Sequence, residues 1–129
     1  MTKNIGFTII IAVWFSAVLF SCHKAEPPKA VITIVDTGGV RIPNVKVTVY
    51  ANPNGSYIDP QGSVLNDIQY TDAGGDASFK FKNKAILNAK AWIKLNFGTT
   101  QAPIWKELDG QKLLILEEDK TVYLTIMIK

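Results

Sequence analysis

The chain has 129 residues, 47% of them hydrophobic, and its 14 basic and 11 acidic side chains give a formal charge of +3. That length allows one domain and little else. With Arg41 as the only arginine and the lysines scattered, the chain lacks the concentrated basic face of a nucleic-acid binder, and a single cysteine excludes any disulfide within the chain.

The chain opens with Met1–Asn4, which holds one positive charge, Lys3. The stretch Ile5–Phe20 (IGFTIIIAVWFSAVLF) then contains no charged residue, and His23 and Lys24 restore polarity after Ser21-Cys22. A positive start, an apolar run and a small residue before a cut form the layout of a signal peptide. The run falls short of the roughly 20 apolar residues a spanning helix needs. Cleavage before Cys22 removes Lys3 and leaves a charge of +2.

The segment Leu19-Phe20-Ser21-Cys22 resembles the bacterial lipobox, an aliphatic residue and two small ones ahead of an invariant cysteine. Leu19 and Ser21 match their positions, whereas Phe20 is bulkier than the pattern. The resemblance implies a diacylglycerol on the Cys22 thiol, peptidase cleavage just before it, and acylation of the new amine. It also gives the lone cysteine a use. Expected boundaries are a signal peptide over 1–21, a lipidated cysteine and tether over 22–29, and a domain over 30–129. The competing readings are an uncleaved anchor helix and a plain secretory signal with an incidental cysteine. One acyl chain holds a protein only marginally and two hold it firmly, so the expected partner is a membrane reached through lipid on Cys22.

In the tether HKAEPPK, Pro27-Pro28 favours a short extended spacer. His23 is the only histidine and has no partner cysteine or histidine downstream, so it reads as a tether residue and not a metal ligand.

From Lys29 onward short strands alternate with turn residues. Ala30–Asp36 is rich in β-branched residues and stops at Thr37-Gly38-Gly39. Val45, Val47 and Val49 alternate with Lys46, Thr48 and Tyr50, a period of two that turns the valines inward. Asn52–Asn66, with two prolines and two glycines, is the longest irregular stretch. Its Asn54-Gly55-Ser56 sequon reads as a turn. Asp67–Asp72 is a further expected strand, and Ala73-Gly74-Gly75-Asp76 is read as a hairpin turn.

Beyond it Ala77, Phe79 and Phe81 point inward against Ser78, Lys80 and Lys82, so Lys80, Lys82 and Lys84 read as a solvated strand face. Leu87–Leu95 alternates again. Ile104–Leu108 and Gln111–Glu117 flank Asp109-Gly110, a strong hairpin signal. Thr121–Lys129 places Val122, Leu124, Ile126 and Ile128 on one face. Seven or eight strands with no helix after the leader predict an all-β, two-sheet sandwich.

Two segments carry a resemblance to a family. Val35-Asp36-Thr37-Gly38-Gly39-Val40-Arg41-Ile42-Pro43-Asn44-Val45-Lys46-Val47-Thr48-Val49-Tyr50 and Tyr70-Thr71-Asp72-Ala73-Gly74-Gly75-Asp76-Ala77-Ser78-Phe79 resemble the carboxypeptidase-regulatory-like and transthyretin-like domains. The matching residues are turn glycines and prolines with core valines and phenylalanines. The resemblance therefore implies an immunoglobulin-like, prealbumin-like sandwich serving as an accessory domain, not a catalytic activity. One such relative forms an intramolecular Lys–Asn bond between its first and last strands. Here Lys29 stands at the first strand, but TVYLTIMIK offers no Asn or Asp.

Catalysis has little to draw on. With Cys22 lipidated and His23 in the tether, no thiol or imidazole remains for a nucleophile–base pair. Asp59, Asp67, Asp72 and Asp76 are left as an arithmetical carboxylate set. Asp72-Ala73-Gly74-Gly75-Asp76 lacks the dense acidic spacing of a calcium loop. The expectation is a chain without enzymatic activity, metal or cofactor.

Tyr50, Trp92 and Tyr123 fall on the polar phase of their strands and so form the expected binding surface. Exposed aromatics stack on sugars or anchor protein partners. The expected function is carbohydrate or protein recognition by an envelope lipoprotein, with assembly through edge-strand pairing as the alternative. His23 in place of Asp after Cys22 resembles the pattern that permits outer-membrane delivery, and leaves open which face of that membrane the domain occupies.

Overall fold

In the computed structural model, residues 24–51 and 66–129 are described. The leader, Cys22, His23 and residues 52–65 of the expected loop, Asn54 and Asp59 among them, lie outside the described residues. Seven strands appear: β1 (Lys29–Val35), β2 (Lys46–Tyr50), β3 (Asn66–Tyr70), β4 (Asp76–Lys80), β5 (Ile86–Asn96), β6 (Trp105–Ile115) and β7 (Thr121–Met127). They form a three-stranded sheet in the order β4-β1-β7 and a four-stranded sheet in the order β3-β2-β5-β6. The chain is an all-β sandwich, and no helix among the described residues is long and apolar enough to cross a membrane.

The alternating pattern explains the core directly. Ile32 and Ile34 of β1, Val47 and Val49 of β2, Phe79 of β4, Leu87 of β5 and Ile126 of β7 are fully or almost fully buried. Their strand neighbours at odd offsets face outward, as period-two geometry requires. Two parallel-stacked rings, Phe79 and Phe81, lie 6.1 Å apart at an interplanar angle of 14°. Ala89 and Ala91 fill the same core from the central strand β5, where small side chains let the opposing sheet approach.

Asp109-Gly110 is not a turn. The two residues lie in the middle of β6, paired with Trp92 and Ala91 of β5. Ile104–Leu108 and Gln111–Glu117 thus belong largely to one strand, which brings the number of strands among the described residues to seven. Gly110 is needed for space and not for positive φ. A Cβ there would collide with the Met127 carbonyl oxygen and lie 2.9 Å from Ile126 Cγ2. The backbone of β7 crosses β6 at this point. Asp109 and Lys129 exchange two long backbone hydrogen bonds, 3.3 and 3.4 Å, which tie an edge of one sheet to the other.

The turn of the β5–β6 hairpin lies instead at residues 97–104. Asn96 Oδ1 accepts hydrogen bonds from the Gly98 and Ile104 amides at 2.9 and 3.0 Å, and Thr99 Oγ1 accepts one from Ala102 at 3.0 Å.

Asp72–Asp76 is a turn but not a hairpin, because it joins β3 in one sheet to β4 in the other. Its geometry is repeated at Asp36–Val40. In each, the aspartate Oδ1 accepts from the amides two and four residues on, at 2.8–3.0 Å. Gly39 and Gly75 adopt the positive φ these turns require, 81° and 78°. Arg41 bridges the two turns through Asp76 at 3.1 Å and the Gly74 carbonyl at 3.3 Å.

Thr71 is the one buried polar side chain among the described residues. Its hydroxyl accepts from the Val45 amide at 2.9 Å and donates to the Ile42 carbonyl at 2.8 Å. Thr71→Val keeps the shape and strands both backbone groups, so it is expected to cost about 2 kcal/mol in urea unfolding. Thr71→Ser keeps both bonds and is expected to retain most of that stability.

The two ends of the sandwich are distinct. β1 runs parallel to β7 and antiparallel to β4, while β2 runs antiparallel to both β3 and β5. The Ile42 amide donates to the Ile34 carbonyl, which aligns the end of β1 with the start of β2. One end therefore gathers the two aspartate turns, the 97–104 hairpin turn and Lys129. The other gathers residues 24–28, the β4–β5 turn at 81–85 and the β6–β7 turn at 116–120.

Candidate functional site

Register decides which exposed aromatics lie together. On the outer face of the four-stranded sheet, Tyr70 of β3, Lys46 of β2, Trp92 of β5 and Asp109 of β6 form one row across the strands. Strands lie about 4.8 Å apart, so Tyr70 and Trp92 stand about 10 Å apart with the Lys46 stem between them. Tyr70 is 63% exposed and Trp92 38%.

Along β5, Lys94 follows Trp92 on the same face. Its ammonium lies 5.9 Å from the Trp105 ring centroid and 3.9 Å from Glu107 Oε1. A cation held over an indole face is attracted by the ring quadrupole. Trp105 pairs with Asn96 and so presents its side chain on the same face as Trp92. Tyr70, Trp92 and Trp105, interleaved with Lys46 and Lys94, make one aromatic strip that runs toward the hairpin turn.

Of the three aromatics expected from sequence, Trp92 lies in this strip. Tyr50 is on the same outer face, half-buried and two rows away, in a row with Asn66 and Asn88. Tyr123 is 77% exposed, but it belongs to β7 in the other sheet and faces away from both. The three do not form one patch. Tyr70 and Trp105 were not selected by sequence. Tyr70 lies in a short strand without clear alternation, and the turn expected at Asp109-Gly110 hid the pairing that aligns Trp105 with Trp92.

The face has further apolar components. Ile68 of β3, Leu113 and Ile115 of β6 and Ile86 of β5 are all exposed there. Polar groups stand among them: Lys90 and Gln111 share a row, and Gln111 Nε2 donates to Asn88 Oδ1 at 3.4 Å.

The carboxylates are used differently. Asp72 spends one carboxylate oxygen on two backbone amides, and Asp76 bonds Thr33 and Arg41 through its two oxygens. Asp67 sits on edge strand β3, opposite Val49. Among the described residues no group of three His, Cys, Asp or Glu side chains is placed to hold a metal ion.

The tether is tied down. Glu26 exchanges backbone-directed hydrogen bonds with Asp119, whose amide donates to the Glu26 carbonyl at 3.2 Å. Pro28 is fully buried and its carbonyl accepts from the Phe81 amide at 2.9 Å. Lys29 is ion-paired to Glu26 at 3.5 Å.

No protein-family model matches the chain, and no curated protein matches it.

Proposed function

We propose that this chain is a non-enzymatic envelope lipoprotein, anchored through lipid on Cys22, whose sandwich is a binding module for a glycan or an envelope protein. The observation that carries the binding part is the strip Tyr70–Trp92–Trp105 on the outer face of the four-stranded sheet. Large aromatics left in solvent on one face, with amide and ammonium groups among them, suit a ligand that offers apolar faces edged by hydroxyls. The anchor rests on the leader and the Leu19–Cys22 segment, as does delivery to the outer membrane. The carboxypeptidase-regulatory-like resemblance agrees with an accessory role and adds no catalytic residue.

Edge-strand assembly is disfavoured at β6, one of the four edge strands β3, β4, β6 and β7. On β6 the side chain of Lys112 shares the inward phase with Leu114, and inward lysines on edges discourage strand addition. The Asp109–Lys129 bonds occupy the same edge at its middle.

Trp92→Ala and Tyr70→Ala together are expected to weaken binding to an envelope glycan at least tenfold, each aromatic contributing on the order of 1 kcal/mol. Tyr123→Ala is expected to leave binding unchanged. Titration against immobilised envelope polysaccharide and against solubilised envelope proteins measures both. Equal loss in the Tyr123 variant, or none in the double variant, would remove the strip from the proposal.

A further inference from the structure

We infer that the outer face of the four-stranded sheet takes one neutral, extended, β-linked glucan chain, laid across the strands with alternate sugars on Tyr70 and Trp92. The inference rests on the glycan-binding role proposed above and adds to it the linkage, charge and direction of the chain.

The first support is the row itself. Tyr70, Lys46, Trp92 and Asp109 follow one another across β3, β2, β5 and β6, so that ring, ammonium, ring and carboxylate alternate. The next row, Ile68–Thr48–Lys90–Gln111, has no aromatic side chain, and Asn66–Tyr50–Asn88–Leu113 has one. Tyr70 and Trp92 are two strand spacings apart, about 10 Å. In an extended chain of equatorially linked hexopyranoses each sugar is turned over relative to the last. Alternate sugars therefore offer the same face, and their separation matches that of the two rings. One sugar covers Tyr70, the next lies over Lys46 and the third covers Trp92. Equatorial hydroxyls sit at the rim of each sugar and leave C–H groups on its faces, the surface an aromatic ring stacks against. Trp105 lies about 14 Å from Trp92, mostly along the strand and so off this line.

The second support is charge. Among the described residues neither Lys46 nor Asp109 forms a salt bridge. Hydroxyls serve both, accepting from the ammonium and donating to the carboxylate. An acidic group on every second sugar that met Lys46 would set the following one against Asp109, and a basic group meets the reverse. The face as a whole carries Lys46, Lys90 and Lys94 against Glu107 and Asp109, a balance that suits a neutral ligand.

The third support is the shape of the face. Neighbouring strands are rotated by about 20–25°, so the surface turns by about 45° between Tyr70 and Trp92. A single chain follows that turn by rotation at its linkages, whereas the flat face of a crystalline fibre does not. Lys46 begins β2 and Tyr70 ends β3, so the row lies at the end of these strands away from the one that residues 52–65 join.

The test titrates the full chain in detergent micelles with cellobiose, cellotriose and cellohexaose by calorimetry. Cellobiose covers one ring and cellotriose both, so affinity is expected to rise about fivefold at the third sugar and only slightly beyond it. Tyr70→Ala is expected to abolish that step and Tyr70→Phe to keep it. Maltohexaose, the α-linked isomer that coils, is expected to bind no better than cellobiose. Equal affinity for cellobiose and cellotriose, or for maltohexaose and cellohexaose, overturns the inference. So does tighter binding of the uronic form of cellohexaose, or retention on crystalline cellulose equal to that on the amorphous form. If cellohexaose does not bind, while envelope polysaccharide binds and the Tyr70 and Trp92 double variant loses it, the site stands and the chain chemistry falls. Polysaccharide binding untouched in that double variant removes the site and the inference with it.

Discussion

Gly110→Ala and Gly110→Asn are both expected to lower stability by about 3 kcal/mol, the upper end of what overpacking costs. A Cβ at this position has no room, because the Met127 carbonyl and Ile126 Cγ2 occupy it. Relief requires β7 to move off β6, which breaks the Asp109–Lys129 pair of hydrogen bonds and loosens Ile126 and Ile128 in the core. The asparagine variant is the informative one. In a tight hairpin turn Asn accepts positive φ readily, so an Asp-Gly turn at 109–110 would tolerate it. In the middle of a crossed strand Asn is at least as damaging as Ala. Urea unfolding of the two variants separates the cases, and a wild-type midpoint for Gly110→Asn would contradict the β5–β6 register. That register also aligns Trp105 with Trp92, so the same experiment bears on the aromatic strip.

Cys22→Ser is expected to release the domain from membranes or to leave an uncut precursor. Each buried methylene contributes about 0.8 kcal/mol, so the proposed diacylglycerol and amide-linked chain would hold the protein firmly. Fractionation of cells expressing the variant, followed by detection of the domain, measures the effect. Processing and membrane retention equal to those of the unsubstituted chain would sink the lipid anchor.

Alternation carried most of the fold. Val45, Val47 and Val49, then Ala77, Phe79 and Phe81, are buried in the phase their spacing predicts, because one buried face fixes a strand's register against slippage. Asp109-Gly110 misled for a physical reason: glycine serves both positive φ and close approach, and composition does not tell these apart. Only the crossing of β7, residues away in sequence, decides it. The likeness of Asp36–Val40 and Asp72–Asp76 was equally hard to see, since the two share little beyond an aspartate and a pair of glycines. Their common pattern lies in the backbone amides.

The exposed aromatic strip was legible in part. Phase correctly put Trp92 and Tyr123 outward, but phase says nothing of which sheet a strand joins. The parallel pairing of β7 with β1 sends Tyr123 to the far face. Tyr70 joins the strip because β3 pairs with β2 in a register that sets it beside Lys46. Such pairings are long-range, and no local spacing encodes them. The spacer expected at Pro27-Pro28 illustrates the same limit. A proline pair signals extension, and the extended segment is used here to seat Pro28 in the domain.

A lipid-bearing thiol at Cys22 is the premise on which the proposed anchor stands. Intact-mass analysis of the protein purified from membranes addresses it most directly. The expected mass lacks residues 1–21 and includes a thioether-linked diacylglycerol with an acylated amine at Cys22. A mass that retains the leader, or a mature chain whose Cys22 sulfhydryl is free, would contradict it.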